Sequence, residues 1–379
     1  MDTSTGRERI MAALHGSAAE SLPWVPFVGP YFLRSLGAEE MGVFGFDAPY
    51  DGSVEQLRKL KTAIPRWLRA DVWAKENAHR RSVDVRKSVK KGDGRTVTTY
   101  HTPFGDLEDV RVETAITSYR AEMPVKEKAD LKALRYILES SYCEPNYAGF
   151  QGLVEETGDD GVIYEPLDPP PPAVLFRWAA PELVIYGLYD GDSEMVSMME
   201  EYHRHNLEFH RTAAQGPAEV FVPGCSYLTT QLISPDLFER YVVPYARDYA
   251  SVMHDAGKLF LLHMCGETRD LLSLVADAGV DGVDSITPAP VGNVDFQAAR
   301  GALRDDFTMI GGLDAETLHH GTREEIAAQV KRSIGRDDEG TPSGIPRGTV
   351  LQTADVISYG TPLANLQTVT ETLESLGLR

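Results

Sequence analysis

From about Ala218 onward, short apolar runs alternate with amphipathic helix patterns. AEVFVPG leads to a helix starting at Ser234-Pro235, KLFLLHMCG to TRDLLSLVADAG, VDGVDSI to VDFQAARGAL, DFTMIGG to REEIAAQVKRSI, and GTVLQTA to PLANLQTVTETLESLG. Five consecutive strand-then-helix units predict a parallel sheet, because parallel neighbours need a long crossover that a helix supplies. With the strand candidates earlier in the chain they approach the count of a (β/α)8 barrel.

The N-terminal part has a different texture. Thr5-x-x-Glu8 is a capping box, after which Ile10, Met11 and Leu14 share one helix face and Gly16 stops the helix. Leu22 to Gly29 (LPWVPFVG) predicts a short buried strand. Between Ser82 and Val112 the pattern turns to alternation, in SVDVRKSVKK, RTVTTYHT and LEDVRV, with Gly92-Asp93-Gly94 as a hairpin signal. Between Pro145 and Pro172 the chain is rich in Gly, Asp and Pro, and the prolines after Asp168 disfavour regular structure, so a long loop system is expected there. The expected fold class is α/β: a (β/α)8 TIM-type barrel over residues 1–379 as one domain, with an N-terminal helical segment and a small antiparallel β insertion at 82–112.

Composition narrows the function classes. The 379 residues suit one elaborated barrel. Lys and Arg number 37 against 57 Asp and Glu, a net charge of -20 that repels phosphate backbones and anionic lipid alike, so neither nucleic acid nor membrane is an expected partner. No apolar run approaches the roughly 20 residues of a membrane span, the start lacks a signal-peptide core, and a cytoplasmic location is expected. Cys143, Cys225 and Cys265 are too few for a disulfide framework, so a cysteine that matters here matters as a thiolate.

In a parallel βα fold the reactive groups sit just past the strands' C-terminal ends. This chain places Cys225, then His263 and Cys265, then Asp284 and Ser285, then Gly311, Gly312 and Asp314, and finally Asp355 at successive strand ends. His263 and Cys265, two apart, project to the same face and form a workable chelating pair for zinc. A catalytic zinc takes three protein ligands, and Cys225 and Asp355 are the nearest candidates to complete the set. The bland alternative makes both cysteines small buried hydrophobes and His263 a hydrogen-bonded core residue; Cys143 stays with that reading. Gly311-Gly312 reads as a tight turn or a close ligand approach, and Asp314 as a helix cap. No phosphate-loop, dinucleotide, zincin or serine-hydrolase motif occurs.

The opening RERIMAALHGSAAESLPWVPF, the segment TPFGDL, the stretch from Leu232 to Gly266, and LVADAGVDGVDSITP with MIGGLDAETL together resemble the uroporphyrinogen decarboxylase superfamily. The resemblance is closer to its zinc-dependent, corrinoid-linked methyltransferase branch and itself implies a barrel. The decarboxylases carry an arginine-rich N-terminal segment of the kind MRQAGR. Here VGPYFLRSLGAE supplies Arg34 alone, which disfavours a polyanionic porphyrinogen. The methyltransferase branch holds zinc with His-x-Cys and a second Cys after the last strand. His263 and Cys265 match the pair, but Gln352-Thr353-Ala354-Asp355 stands at the third position, and Cys225 is where a missing sulfur could come from.

The resemblance thus implies a methyltransferase moving a methyl group between a small methoxy, thiol or amine compound and a corrinoid. His263, Cys265, Cys225 and Asp355 would serve the zinc, and Asp314 and Tyr227 would orient substrate. No D-x-H-x-x-G corrinoid motif occurs, the string Asp314 to Gly321 having the wrong spacing, so the cobalamin is expected on a separate corrinoid-binding protein. A homodimer is left open. The alternatives are a cofactor-free decarboxylase or lyase using Asp314 or Asp284, whose activity would survive chelation, and a noncatalytic binding module.

Overall fold

Each of the five apolar runs after Ala218 forms a strand, and three earlier segments complete a ring of eight among the described residues: β1 Trp24–Val25, β2 Val72–Lys75, β3 Gly161–Tyr164, β4 Val220–Phe221, β5 Leu259–His263, β6 Gly282–Ile286, β7 Thr308–Gly312 and β8 Thr349–Gln352. The computed structural model describes residues 4–17, 21–336 and 347–379, so the first three residues of the amphipathic start and residues 18–20 of the opening segment lie outside it. Strands β4 to β8 and then β1 pair in parallel in that order, and β2 pairs in parallel with β3. Backbone bonds bridge the two remaining seams. Asp71 N–H donates to the Trp24 carbonyl at 2.7 Å between β1 and β2. Between β3 and β4, Glu165 N–H donates to Val220 (3.0 Å) and Val222 N–H donates to Glu165 (2.9 Å). The ring is a (β/α)8 barrel.

Helix α1, Gly6–Leu14, forms as its sequence predicts: the Thr5 hydroxyl accepts from Glu8 N–H, and the Glu8 carboxylate accepts from Thr5 N–H. Its apolar face, Ile10, Ala13 and Leu14, packs into one cluster with Trp73, Val162, Val220, Leu261, Ile310 and Val350 from the barrel strands. The N-terminal end of the barrel is therefore filled. Because side chains along a strand return to the same face every second residue, the next inward layer is drawn from Lys75, Tyr164, Val222, His263 and Gln352. The helix that fills one end thus fixes which residues reach the open one.

Two regions differ from expectation. The antiparallel insertion is larger than 82–112: a ladder of His79–Val83 with Ser141–Pro145 carries a four-stranded meander, Lys87–Gly92, Arg95–Thr102, Gly105–Glu113 and Ser118–Glu122. Its first hairpin turns on Asp93 and Gly94, both at positive φ (50° and 70°), which matches strand twist and explains the Asp-Gly pair. The segment 145–172 is not a loop system, since it contains a helix, Tyr147–Thr157, the barrel strand β3, and the start of the helix Pro171–Trp178. The proline run misled because its last two members, Pro171 and Pro172, sit at the first helical positions, where a missing N–H costs nothing.

Candidate active site at the barrel mouth

The upper layer opens into a cavity of about 680 Å³ at the C-terminal end of the barrel. His263, the last residue of β5, lines it with its side chain 15 % exposed. Its Nδ1–H donates to Asp284 Oδ2 at 2.7 Å, and Asp284 is fully buried on β6. The other Asp284 oxygen accepts from Trp73 Nε1 at 3.2 Å and from Gln352 Nε2 at 2.9 Å, while Gln352 Oε1 accepts from the Ser285 hydroxyl at 3.3 Å. Four strands thereby hold the ring in one orientation, with Nδ1 committed to Asp284 and Nε2 the nitrogen turned to other partners. Ser285 takes positive φ (73°) to turn this chain of donors inward, a backbone cost that a merely packed strand end would not need.

Cys265 meets the His263 ring. Burial disfavours an imidazolium there, but the bonds to Asp284 and Cys265 outweigh it and raise the His263 pKa to about 10, so a metal at Nε2 would displace a proton. The edge of Phe27 packs on the same ring with centroids 6.0 Å apart. The remaining sequence candidates fall elsewhere. Cys225 is fully buried in the main apolar core, where burial pushes its thiol up to about 12, and its own N–H donates to the His263 carbonyl. Asp355 is half-buried after β8 and accepts from Val356 N–H at 2.6 Å. Asp314 is buried and caps the helix Ala315–His320: Oδ2 accepts from the N–H and hydroxyl of Thr317, and Oδ1 has no partner among the described residues. Tyr227 packs on the edge of the main core. Of these, only His263 lines the cavity, and the described residues contain no group of three His, Cys, Asp or Glu side chains placed to hold a metal ion. Gly311 serves neither proposed role: a Cβ there would lie 2.3 Å from the Ile286 carbonyl, so the glycine permits close strand packing.

The opposite wall was missed by sequence reasoning. Lys75 ends β2, Arg80 and Arg81 lie on the ladder strand that follows, and Arg177 comes from the helix after β3. Arg81 pairs with Asp168, which also accepts from the Tyr202 hydroxyl at 2.8 Å. Behind them His79 Nδ1 donates to the fully buried Glu165 at 3.0 Å, and its Nε2 meets the Tyr147 hydroxyl at 3.0 Å. Arg34, the lone arginine of the N-terminal segment, instead pairs at the surface with Glu113. The sequence signal for this wall was thin: a lysine closing the apolar run VWAK, and His-Arg-Arg four residues later.

Residues 185–376, half of the chain, match the model of the family described as uroporphyrinogen decarboxylase (URO-D), and the chain belongs to that family. Among curated proteins it is similar to the methylcobamide:CoM methyltransferase MtbA of Methanosarcina mazei, 25% identical over 188 residues covering 48% of this chain and 50% of the relative. It is also similar to a methylated-thiol–coenzyme M methyltransferase of the same organism (28%, covering 41% and 37%) and to a uroporphyrinogen decarboxylase of Syntrophotalea carbinolica (27%, covering 42% and 43%). The matches thus span about half, or less, of the length of these relatives. A solved methyltransferase structure from Methanosarcina mazei shares the fold, with a TM-score of 0.65 at 18% identity over 98% of this chain and 99% of that one.

Proposed function

We propose that the protein is a zinc-dependent methyltransferase, moving a methyl group between a small methylated compound and a corrinoid carried by a separate protein. The observation that carries this reading is the His263–Cys265 pair at the mouth, with His263 fixed through Nδ1 by a buried, twice-anchored Asp284. A core histidine needs one hydrogen bond, whereas a ligating histidine needs its second nitrogen oriented by a carboxylate. The names of the methyltransferase relatives support the same chemistry.

The donor set fits zinc at two positions: His263 Nε2 and the Cys265 thiolate would hold it. Cys225, after the neighbouring strand β4, or Asp355, after β8 three strands away, would have to turn inward to add a third ligand, leaving a position for a substrate heteroatom. Zinc held there would supply Lewis acidity toward the heteroatom bearing the methyl group. A corrinoid on its carrier protein would supply the cobalt centre for methyl exchange. The chain's own residues do the remaining work. Asp284 keeps the proton on His263 Nδ1 and Phe27 packs against the ring, while Asp314 and Tyr227, which lie outside the cavity lining, would have to turn toward the mouth to orient the substrate.

Metal analysis of purified protein tests this. About one zinc per chain is expected, lost in Cys265→Ser and in His263→Ala; wild-type protein without zinc after purification in zinc-supplemented buffer sinks the site. Loss of cob(I)alamin absorbance on adding methylated compounds, with wild type but not Cys265→Ser, tests the transfer itself. The basic wall would equally suit a decarboxylase of the same family. Carbon dioxide release that persists after chelation and without a corrinoid would favour that second reading.

A further inference from the structure

Three cations on the cavity wall have no carboxylate committed to them. Lys75 and Arg80 are exposed to the cavity and form no ion pair with any described residue. Arg177 donates to the Gly224 carbonyl and reaches Asp168 Oδ1 only at 4.0 Å. Asp168 is already taken by Arg81, whose guanidinium also donates to Asn206 at 2.8 Å and Ser141 at 2.7 Å. Enclosure by the wall holds the Lys75 pKa below its ordinary value against the opposing pull of Asp284, and the like charge of Arg177 adds a smaller push the same way. In a chain of net charge -20 such a cluster runs against the average, and a concave site focuses its field. Holding like charges together without a structural partner costs stability, which points to a ligand that supplies the missing charge. The aromatic surfaces of Phe27, Tyr164 and Phe209 line the same space, so the ligand is also partly apolar.

We propose that the substrate is a methylated carboxylate, its anionic group held by Lys75 and Arg177 with Arg80 at the rim, and its methylated end directed across the cavity toward His263. A guanidinium and an ammonium together fit a carboxylate's two oxygens, and charge-assisted bonds of this kind are roughly twice as strong as neutral ones. This rests on reading the mouth as a methyl-transfer centre and adds the substrate's class to it.

Two acids of different bulk, 3-methoxybenzoate and methoxyacetate, are titrated calorimetrically against their primary amides, using the protein as purified and again after EDTA. At least one acid should bind about tenfold more tightly than its amide, and Lys75→Met and Arg177→Met should each bring that ratio to within about threefold. The preference should survive EDTA. Equal affinities for acid and amide, no binding of either acid at about 10 mM, a ratio unchanged in Lys75→Met, or a preference abolished by EDTA overturns the proposal. Should Arg177→Met fail to fold, Lys75→Met decides alone, since the Lys75 ammonium makes no hydrogen bond that the fold needs. No corrinoid or turnover enters the measurement. Acid preference can therefore stand where methyl transfer fails, and its absence leaves zinc occupancy at His263 and Cys265 untouched.

Discussion

The two walls of the mouth are built on opposite plans. On the β5–β6–β8 side, His263 is locked by Asp284, and Asp284 by Trp73 and Gln352, so Nδ1 and both carboxylate oxygens are already spent. On the β2–β3 side, Arg81 and Asp168 neutralise each other, while Lys75, Arg80 and Arg177 stand in excess. A preorganised wall costs nothing further when the reaction begins, and an unneutralised one gains when a ligand arrives. The comparison separates residues that hold the site from residues that wait for something, and substitutions can be ranked by it.

Arg81 should behave as a holder although it lies on the waiting wall. Arg81→Met removes the partner of Asp168, the bonds to Asn206 and Ser141, and stacking on Tyr202 and Phe209. Breaking a buried pair from one side costs about 3–5 kcal/mol. Asp168 keeps 30% of its side chain exposed, so about 3 kcal/mol is the expected loss in urea unfolding. A loss under about 1 kcal/mol would place Arg81 with the ligand-binding cations instead.

Behind the same wall, His210 sets a pH dependence. It stacks on Tyr249 at 4.0 Å, its Nδ1–H donates to the Asn206 carbonyl at 2.8 Å, and burial lowers its pKa from 6.5 to about 4 against the opposing Asn206 bond and Asp168 charge, with Arg81 and His203 adding to the fall. The folded state keeps this ring neutral down to about pH 4, whereas the unfolded chain protonates it near 6.5. The unfolded state therefore binds more protons in that window, and stability falls as pH drops through it, by about 3 kcal/mol in all. His210→Phe keeps the stack and should flatten the slope between pH 6.5 and 4.5; an unchanged slope assigns the acid limb to other groups.

The difference between the walls also explains what could be read from sequence. The locked wall follows from local rules: an apolar run marks each strand, period two carries Leu261 to His263 and Val350 to Gln352, and a strand end marks the mouth. His263, Cys265 and Asp284 were therefore named at once. Their mutual geometry was not, because whether Asp284 serves as catalyst or anchor depends on a register between β5 and β6 that no local pattern encodes. The waiting wall draws Lys75, Arg80 and Arg177 from three elements up to about a hundred residues apart, one of them behind a proline run that reads as a loop. Non-local charge of this kind has no periodicity to find.

On the locked wall, Asp284→Asn is the sharpest substitution. It preserves volume and the bonds from Trp73 or Gln352, but the amide presents no charge to His263 Nδ1–H. Outer partners of metal-bound histidines are typically worth about 10–100-fold in metal affinity, so the expected result is a zinc dissociation constant raised by about that factor, read by competition with a chelating dye. The fold should survive, checked by an unchanged circular dichroism spectrum. Zinc affinity within about twofold of wild type would mean that His263 is held for packing rather than for a ligand.

Lys75→Met should have the smallest effect on stability and so completes the contrast. The aliphatic stem can still lie along the cavity wall, no hydrogen bond or ion pair from the ammonium is lost, and removing an enclosed charge with its repulsion from Arg177 offsets the lost attraction to Asp284. The midpoint of urea unfolding should stay within about 0.5 kcal/mol of wild type, or rise. A loss of about 2 kcal/mol or more would show that Lys75 is a structural residue like Arg81, and the distinction between the two walls would then be one of composition rather than of purpose.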